Sequence, residues 1–434
     1  MSTRKITISQ LANGMFIHEL DIPWIKSPFL RHRRKIKSAN DIALLKQAGV
    51  KELHIDLSRG ADIPSNHEEP LNEHTSKNIS SDIKEPPAVD EVSPPSSSEP
   101  LIDKQTSQNE AAQAVPLSEE LKVAKVLQGK ICQLVNQLSQ LAKNGQPISA
   151  ASISPIIQES VASITRNDQA LLTLLHLHRQ DIKLGDHAFG VFSLILPLAI
   201  KLNCSKEEIN ELGMAALLHD IGWARLPMHL LDKKKPYTSS EKQLTQQHIS
   251  IAENVLKKCN ELPGTVKTLI IQHHEFNDGS GYPKKLSKEK IHKLTQILQV
   301  TDAYDESIHG LMGQQGMLPA SALKKLYRSA KKGLYSETIV GEMIHVMGIF
   351  PLTSAVELSS GEKALVIEID KQKPLLPKVK IIYEADGQPC SSIKIIDLAN
   401  QNEDDNLKII RVIDPIDRKC DPLGLLIVDS IESA

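Results

Sequence analysis

Met214-Ala-Ala-Leu-Leu-His219-Asp220-Ile-Gly222 is the stretch on which the reading of this chain turns. Its five leading apolar residues belong in a core, so the polar pair that follows is carried toward the interior. Burying ionisable groups without partners costs several kcal/mol, and a shared metal ion is a common way to satisfy them. The same pattern recurs on either side. His187, His248, the pair His273-His274 and Asp302 each fall near a helix end or on a helical stretch otherwise rich in Leu, Ile and Ala. Eight of the 16 histidines lie between His176 and His274, which concentrates the chemistry in one part of the chain.

Imidazole and carboxylate donors without a thiolate suit a borderline first-row ion such as iron or manganese, whereas calcium or magnesium favours oxygen donors. Seven donors exceed what one such ion takes while leaving a position open, so two divalent ions are expected. A pair of ions about 3.5–4 Å apart suits in-line attack on phosphorus. A single histidine on an apolar face is more often a satisfied core residue, and His176, His178, His229, His292, His309 and His345 are read that way.

Working outward, the chain divides into four segments. Residues 1–59 read as a small α+β module: Ile6 and Ile8 alternate with polar residues, Asn13-Gly14 turns, Met15-Phe16-Ile17 offers a strand, and a capped helix runs from Ser38 to Gly49 before Val50–Leu57. Arg31 to Lys37 reads as a solvated basic strand edge. Residues 60–118 are rich in Pro, Ser, Glu and Asp and bury too little apolar surface to order themselves, so they read as a disordered linker. Residues 119–350 are helical, opening with Val123, Val126, Leu127, Ile131, Leu134, Leu138 and Leu141 at helical spacing. Residues 351–434 turn to period-two strands: Val356–Leu358, Ala364–Ile369, Val379–Tyr383, Ile393–Leu398, Ile409–Val412 and Leu425–Val428. The fold class is mostly α, with a small β-rich tail.

The whole-chain properties exclude several classes. A length of 434 residues fits two or three domains. Fifty-one basic against 53 acidic residues leave no global field for nucleic acid or an anionic membrane. The ten-residue apolar run Val191–Ile200 contains Pro197, too short for a membrane span of about 20 residues. The five scattered cysteines argue against a disulfide framework, and a cytoplasmic location is expected.

His187, the pair in Leu217-Leu-His219-Asp220-Ile-Gly, His248, His273-His-Glu-Phe-Asn-Asp-Gly-Ser-Gly-Tyr-Pro283 and Val300-Thr-Asp302-Ala-Tyr-Asp305 together resemble the HD-GYP family of bacterial cyclic di-GMP phosphodiesterases, a branch of the HD phosphohydrolases. The likeness covers roughly residues 165–350. Gly14-Met, Leu20-Asp-Ile-Pro-Trp24 and Ser27-Pro-Phe-Leu30 resemble a small domain of uncharacterised role that often precedes it. The resemblance implies an all-α HD-type domain. It implies that His187, His219, Asp220 and Asp302 hold one ion, that Asp220 bridges to a second held by His248, His273 and His274, and that Asp220 and His219 are catalytic. It places Gly279, Gly281, Tyr282 and Pro283 at the substrate, with Trp223 and Arg225 beside them. Glu275 and Asp278 brace the histidines or orient that loop. The implied reaction is hydrolysis of cyclic di-GMP to the linear dinucleotide, and further to GMP, in second-messenger signalling.

Three positions depart from the family. Trp223 stands where a lysine is common, and reads either as a packed aromatic or as a guanine-stacking platform. Gly310-Leu-Met-Gly-Gln-Gln-Gly316 carries no basic residue. Lys183 occupies the position of a third-ion glutamate, which favours two ions over three. The departures keep two other readings open: a cyclic di-GMP-binding effector that signals through a protein partner with little turnover, and a phosphohydrolase of another cyclic dinucleotide.

Overall fold

The computed structural model describes residues 3–21, 34–36, 38–61, 114–177, 183–231, 233–370, 372–390, 392–401 and 407–413. These fall into two compact units, one ending at residue 61 and the other starting at residue 114. Most of the 60–118 segment, Arg31, Arg33, Lys37, His178 and the Leu425–Val428 strand lie outside the described residues.

The first unit holds β1 (Thr3–Thr7), β2 (Phe16–Leu20), β3 (Arg34–Lys35), α1 (Ala39–Gln47) and β4 (Glu52–Asp56). The sheet is antiparallel in the order β1-β4-β2-β3, so the basic Arg34–Lys35 pair lies on an edge strand. Ser38 caps α1 by accepting from the Asp41 amide. Met15, Ile17, Leu45, Leu53 and Ile55 fill its core.

The second unit is helical: α2 (Leu117–Lys143), α3 (Ser154–Arg166), α4 (Ala170–Leu177), α5 (Leu184–Lys201), α6 (Lys206–Leu218), α7 (Ser239–Leu256), α8 (Gly264–Gln272), α9 (Thr295–His309), α10 (Pro319–Lys331) and α11 (Glu337–Met347). Helix α5 is the central element, packed against α2, α6 and α9. By length and composition alone it could cross a membrane, yet 83% of it is buried inside the protein, so its apolar surface belongs to a core.

Local signals set where these helices start and stop, and hence where their polar residues land. Ser205 and Glu208 form a reciprocal cap at the start of α6, and Thr238 and Glu241 do the same for α7. Helix α6 ends so that His219 is its C-cap, and α8 ends at His273 in the same way. Helix α9 ends at Gly310, whose left-handed backbone (φ 66°) suits a residue without Cβ.

A second antiparallel sheet follows: β5 (Ala355–Leu358), β6 (Lys363–Glu368), β7 (Lys378–Tyr383), β8 (Ile395–Asp397) and β9 (Ile409–Ile413). Its order is β8-β7-β6-β5-β9, and Val356, Leu358, Val366 and Val379 form its core. The described residues are thus mainly helical with a small C-terminal sheet, in agreement with the fold class read from the sequence.

Candidate metal centre

Helices α5, α6, α7, α8 and α9 bring His187, His219, Asp220, His248, His273, His274 and Asp302 to one buried point. None of the seven is more than 9% exposed. Asp220 is its centre. Its Oδ2 lies 3.5 Å from His187 Nε2 and 3.6 Å from His219 Nε2, while Oδ1 lies 3.4 Å from His248 Nε2 and 3.8 Å from His273 Nε2. Asp302 Oδ1 faces His187 Nε2 at 3.2 Å and His219 Nε2 at 3.6 Å, and its Oδ2 lies 4.0 Å from His274 Nδ1.

The far nitrogen of four rings is committed elsewhere, which fixes what each ring presents. His219 Nδ1–H donates to the Ala216 carbonyl at 2.9 Å, His248 to Thr245 at 2.7 Å and His273 to Ile270 at 2.7 Å, each three residues upstream. His187 Nδ1–H donates instead to Asp305 Oδ2 at 2.6 Å. Each ring therefore turns its Nε2 toward the cluster, and the three rings held by carbonyls offer it as an acceptor when neutral. His187 Nε2 and His219 Nε2 stand 3.1 Å apart, a spacing at which the two nitrogens can share a proton or flank one cation.

The donors fit a metal. Asp220 Oδ1 and Oδ2, Asp302 Oδ1 and the Nε2 atoms of His248, His273 and His274 are buried without a hydrogen-bond partner among the described residues. Buried polar groups are normally paired, so six such atoms facing one another mark a place for an ion. Two donors each bound at about 2.1 Å to one ion lie about 3–4 Å apart, the spacing seen here. The donors separate into one group of Asp220, His248, His273 and His274 and another of His187, His219 and Asp302, with Asp220 facing both.

Charge follows the same geometry. Burial opposes a charge on His187, but the Asp302 and Asp305 carboxylates beside it outweigh that and raise its pKa well above the ordinary range. Burial, reinforced by neighbouring histidines, pushes His273 well down and His274 down to about 3. His248 is lowered by burial as well. The chain thus keeps His248, His273 and His274 neutral and able to coordinate.

Close packing holds the rings in place. A Cβ on Gly222 would meet the His248 carbonyl at 2.0 Å, and one on Gly281 would meet the His274 carbonyl at 2.5 Å. The Gly279–Pro283 loop lies against the cluster: the Tyr282 amide donates to the His274 carbonyl at 3.0 Å and its ring stacks on His274 at 4.8 Å. Glu275 and Asp278 orient this loop rather than the histidines. Glu275 accepts from the Lys284 and Leu286 amides at 2.6 and 2.8 Å, and Asp278 accepts from the Ser280 amide and hydroxyl.

Two residues that the resemblance places beside the substrate make contacts within the chain. Trp223 has no exposed surface and stacks on His248 at 5.9 Å, which makes it a packed aromatic behind the ring rather than a platform. Arg225 donates through Nη2 to the Ala142 carbonyl at the end of α2. Among the histidines read as core residues, His176 is buried against the Tyr304 hydroxyl and His309 is buried beside Asp305, but His229 and His345 are exposed.

Two residues gain a place that the sequence reading did not give them. Asp305, one turn after Asp302, joins His187 Nδ1 and His309 Nδ1 (3.0 Å), and Gly190 leaves it room, since a Cβ there would lie 1.9 Å from Asp305 Oδ1. Glu306, at i+4 from Asp302, completes a further ligand group with His274 and Asp302. Burial and the Asp302 charge raise its pKa well above the usual carboxylate range. The signal for both was helical periodicity from Asp302.

Residues 152–339 match the family model of the HD domain, residues 3–153 that of a domain of unknown function (DUF3391), and residues 355–421 that of a KOW domain associated with the HD domain. The chain is 28% identical over 405 residues to cyclic di-GMP phosphodiesterase PA4108 of Pseudomonas aeruginosa, covering 93% of this chain and 91% of that protein. It is 25% identical over 234 residues to cyclic di-GMP phosphodiesterase PdeB of Borreliella burgdorferi, covering 51% of this chain and 61% of that protein. Among solved structures, Bd1817, an HDG"Y"P protein from Bdellovibrio bacteriovorus, matches with a TM-score of 0.45 at 17% identity, over 79% of this chain and 98% of that one.

Proposed function

From the premise that this chain carries an HD domain, we propose that it is a metal-dependent phosphodiesterase that opens cyclic di-GMP to the linear dinucleotide, and further to GMP, in cytoplasmic second-messenger signalling. The observation that carries this reading is the double-sided Asp220, with one oxygen toward His187 and His219 and the other toward His248 and His273. The likeness to two proteins named cyclic di-GMP phosphodiesterases supports the substrate.

His187, His219, Asp220 and Asp302 would hold one divalent ion, and Asp220, His248, His273 and His274 a second. The absence of thiolate and the mixture of imidazole with carboxylate favour iron or manganese. Bound there, such ions supply Lewis acidity toward phosphate oxygens and ease the deprotonation of water. The chain's own part is to fix the donors: backbone carbonyls and Asp305 set the ring orientations, and Trp223 backs His248. Gly279, Gly281, Tyr282 and Pro283 form one wall of the substrate pocket, held by Glu275 and Asp278.

The test is direct. Protein purified without oxygen should contain about two iron or manganese ions per chain and release linear dinucleotide from cyclic di-GMP. A chain without bound transition metal that still cleaves would overturn the proposal. A neutral, buried Trp223 and the absence of a cation in Gly310–Gly316 favour one other reading, an effector that binds cyclic di-GMP and signals through a protein partner. Tight binding without product selects it, and cleavage of other cyclic dinucleotides alone selects a change of substrate.

A further inference from the structure

Helices α8 and α9 pack against each other, and two glutamines tie the end of one to the start of the other. Gln299 Nε2 donates to the Gln272 carbonyl at 3.4 Å and to the Glu275 carbonyl, while Gln272 Oε1 accepts from the His292 amide at 2.9 Å and the Thr295 hydroxyl at 3.3 Å. Resting on the reading of the His/Asp cluster as a two-ion centre, we propose that Gln299 and Gln272 are positioning residues for the second ion: they fix the His273-His274 pair relative to Asp302 and so set how tightly that ion is held.

Position comes first. Thr295, Gln299 and Asp302 are buried and fall at i, i+4 and i+7 on α9, so they lie along one stripe of it. One helix face thus carries both glutamine contacts and a cluster ligand. Opposite it, α8 ends at Gln272 with His273 as its C-cap, and a helix end leaves its last carbonyls without partners from its own ladder. Gln299 takes up the carbonyls of Gln272 and Glu275, the residues immediately before and after His273-His274. A single carboxamide brackets the pair.

The chemistry of Gln299 suits a fixed distance more than added stability. The residue is 2% exposed, and its Oε1 is buried without a hydrogen-bond partner among the described residues. An unpaired buried oxygen costs stability, so an apolar side chain of the same length would suit a core better. What the carboxamide alone offers is two N–H donors on one nitrogen, enough to hold two carbonyls at once. The stretch it holds also carries the Ile270 carbonyl that orients His273 and the His274 carbonyl that receives the Tyr282 amide, so a shift there moves both rings. Ligands of a working site have to be held within about 0.5 Å. The 4.0 Å between His274 Nδ1 and Asp302 Oδ2 is measured across the two elements that the glutamines join. His187 and His219 stand on α5 and at the end of α6, outside this clasp, and Asp302 stays beside them through the packing of α9 on α5.

The experiment is a manganese titration of the metal-stripped full chain, followed by electron paramagnetic resonance, in the parent and in Gln299→Met, which keeps the length of the side chain and removes both donors. The parent should fill two sites and give the spectrum of a coupled pair of ions. In Gln299→Met the second ion should bind about tenfold or more weakly, the size of a lost outer partner, so that one isolated ion per chain dominates at manganese concentrations that load the parent with two. Hydrolysis of cyclic di-GMP should return as manganese is raised. Gln272→Met should weaken the same ion, and Gln272→Glu, which keeps an oxygen for the His292 amide and the Thr295 hydroxyl, should bind it like the parent. These two variants decide the matter if Gln299→Met does not fold. A coupled pair that fills at the parent's concentration in Gln299→Met or in Gln272→Met would overturn the clasp, as would equal weakening of both ions or a Gln272→Glu variant as weak as Gln272→Met. A parent that binds fewer than two manganese ions would instead overturn the two-ion reading, and the role of the clasp with it.

Discussion

Glu120 and Asp220 are both carboxylates buried in the helical unit, 1% and 3% exposed, yet their surroundings are opposite. Glu120 has every need met within the chain: Oε1 accepts from the Ser163 hydroxyl at 2.6 Å, and Arg166 grips both oxygens at 2.7 and 2.8 Å. Asp220 has four imidazole nitrogens around it and no hydrogen bond to either oxygen. A buried polar group that is paired tells of folding, and one that is surrounded by acceptors tells of something the chain is built to receive. The contrast assigns Glu120 to stability and Asp220 to chemistry.

Breaking that contrast at Asp220 should give the largest effect. Asp220→Asn removes the charge that faces both ligand groups while keeping the side-chain volume. Hydrolysis of cyclic di-GMP should fall about a thousandfold or more, with metal content dropping below that of the parent. Full activity and metal content in this variant would return Asp220 to the same structural class as Glu120. Chelation tests the same side without mutation. Ions bound at a thousand times their Kd stabilise the fold by about 4 kcal/mol, so metal-stripped protein should melt at lower temperature and recover on adding manganese or iron(II).

Asp305→Asn sharpens the comparison one step out. Asp305 has no exposed surface; it holds His187 Nδ1, and thereby sets which nitrogen His187 turns to the cluster. Outer partners of this kind are worth about 10–100-fold in metal affinity, and a metal titration should show that loss. Gly190→Ala should act through the same contact, because its Cβ would collide with Asp305 Oδ1.

Much of this site was legible in residue order because helix ends and apolar runs announce where polar groups will be buried. His219-Asp220 after Met214–Leu218 is the clearest instance. Ring orientation was not legible, since it depends on carbonyls of Ala216, Thr245 and Ile270, which every residue possesses. Nor was the burial of Trp223 fixed by its position after His219-Asp220; the packing of the segment after α6 against α7 decides it. Glu275 could be assigned to the loop only once the chain was seen to return, because its partners are backbone amides nine and eleven residues on. Among the described residues, the strands and α1 followed readily from alternation and capping, whereas the order of strands in each sheet needed coordinates.

Glu120→Gln tests the satisfied member of the pair and should give the smallest effect. It should destabilise the fold by about 1.5 kcal/mol, less than the loss at a wholly buried ion pair because the Arg166 side chain is 31% exposed. Metal content and hydrolysis should not change. The effect also carries a pH signature. Burial works to raise the Glu120 pKa, but the Arg166 and Ser163 hydrogen bonds outweigh it and hold the pKa below 4.5. A carboxylate depressed in the folded state contributes stability that is present above its unfolded pKa and lost as pH falls through the folded value. The stability difference between parent and Glu120→Gln should therefore be constant near neutrality and shrink below about pH 4.5, as measured by denaturant unfolding at a series of pH values. A difference that persists unchanged at lower pH would mean that the ion pair contributes through packing alone, and the distinction drawn between the two carboxylates would then rest on Asp220 only.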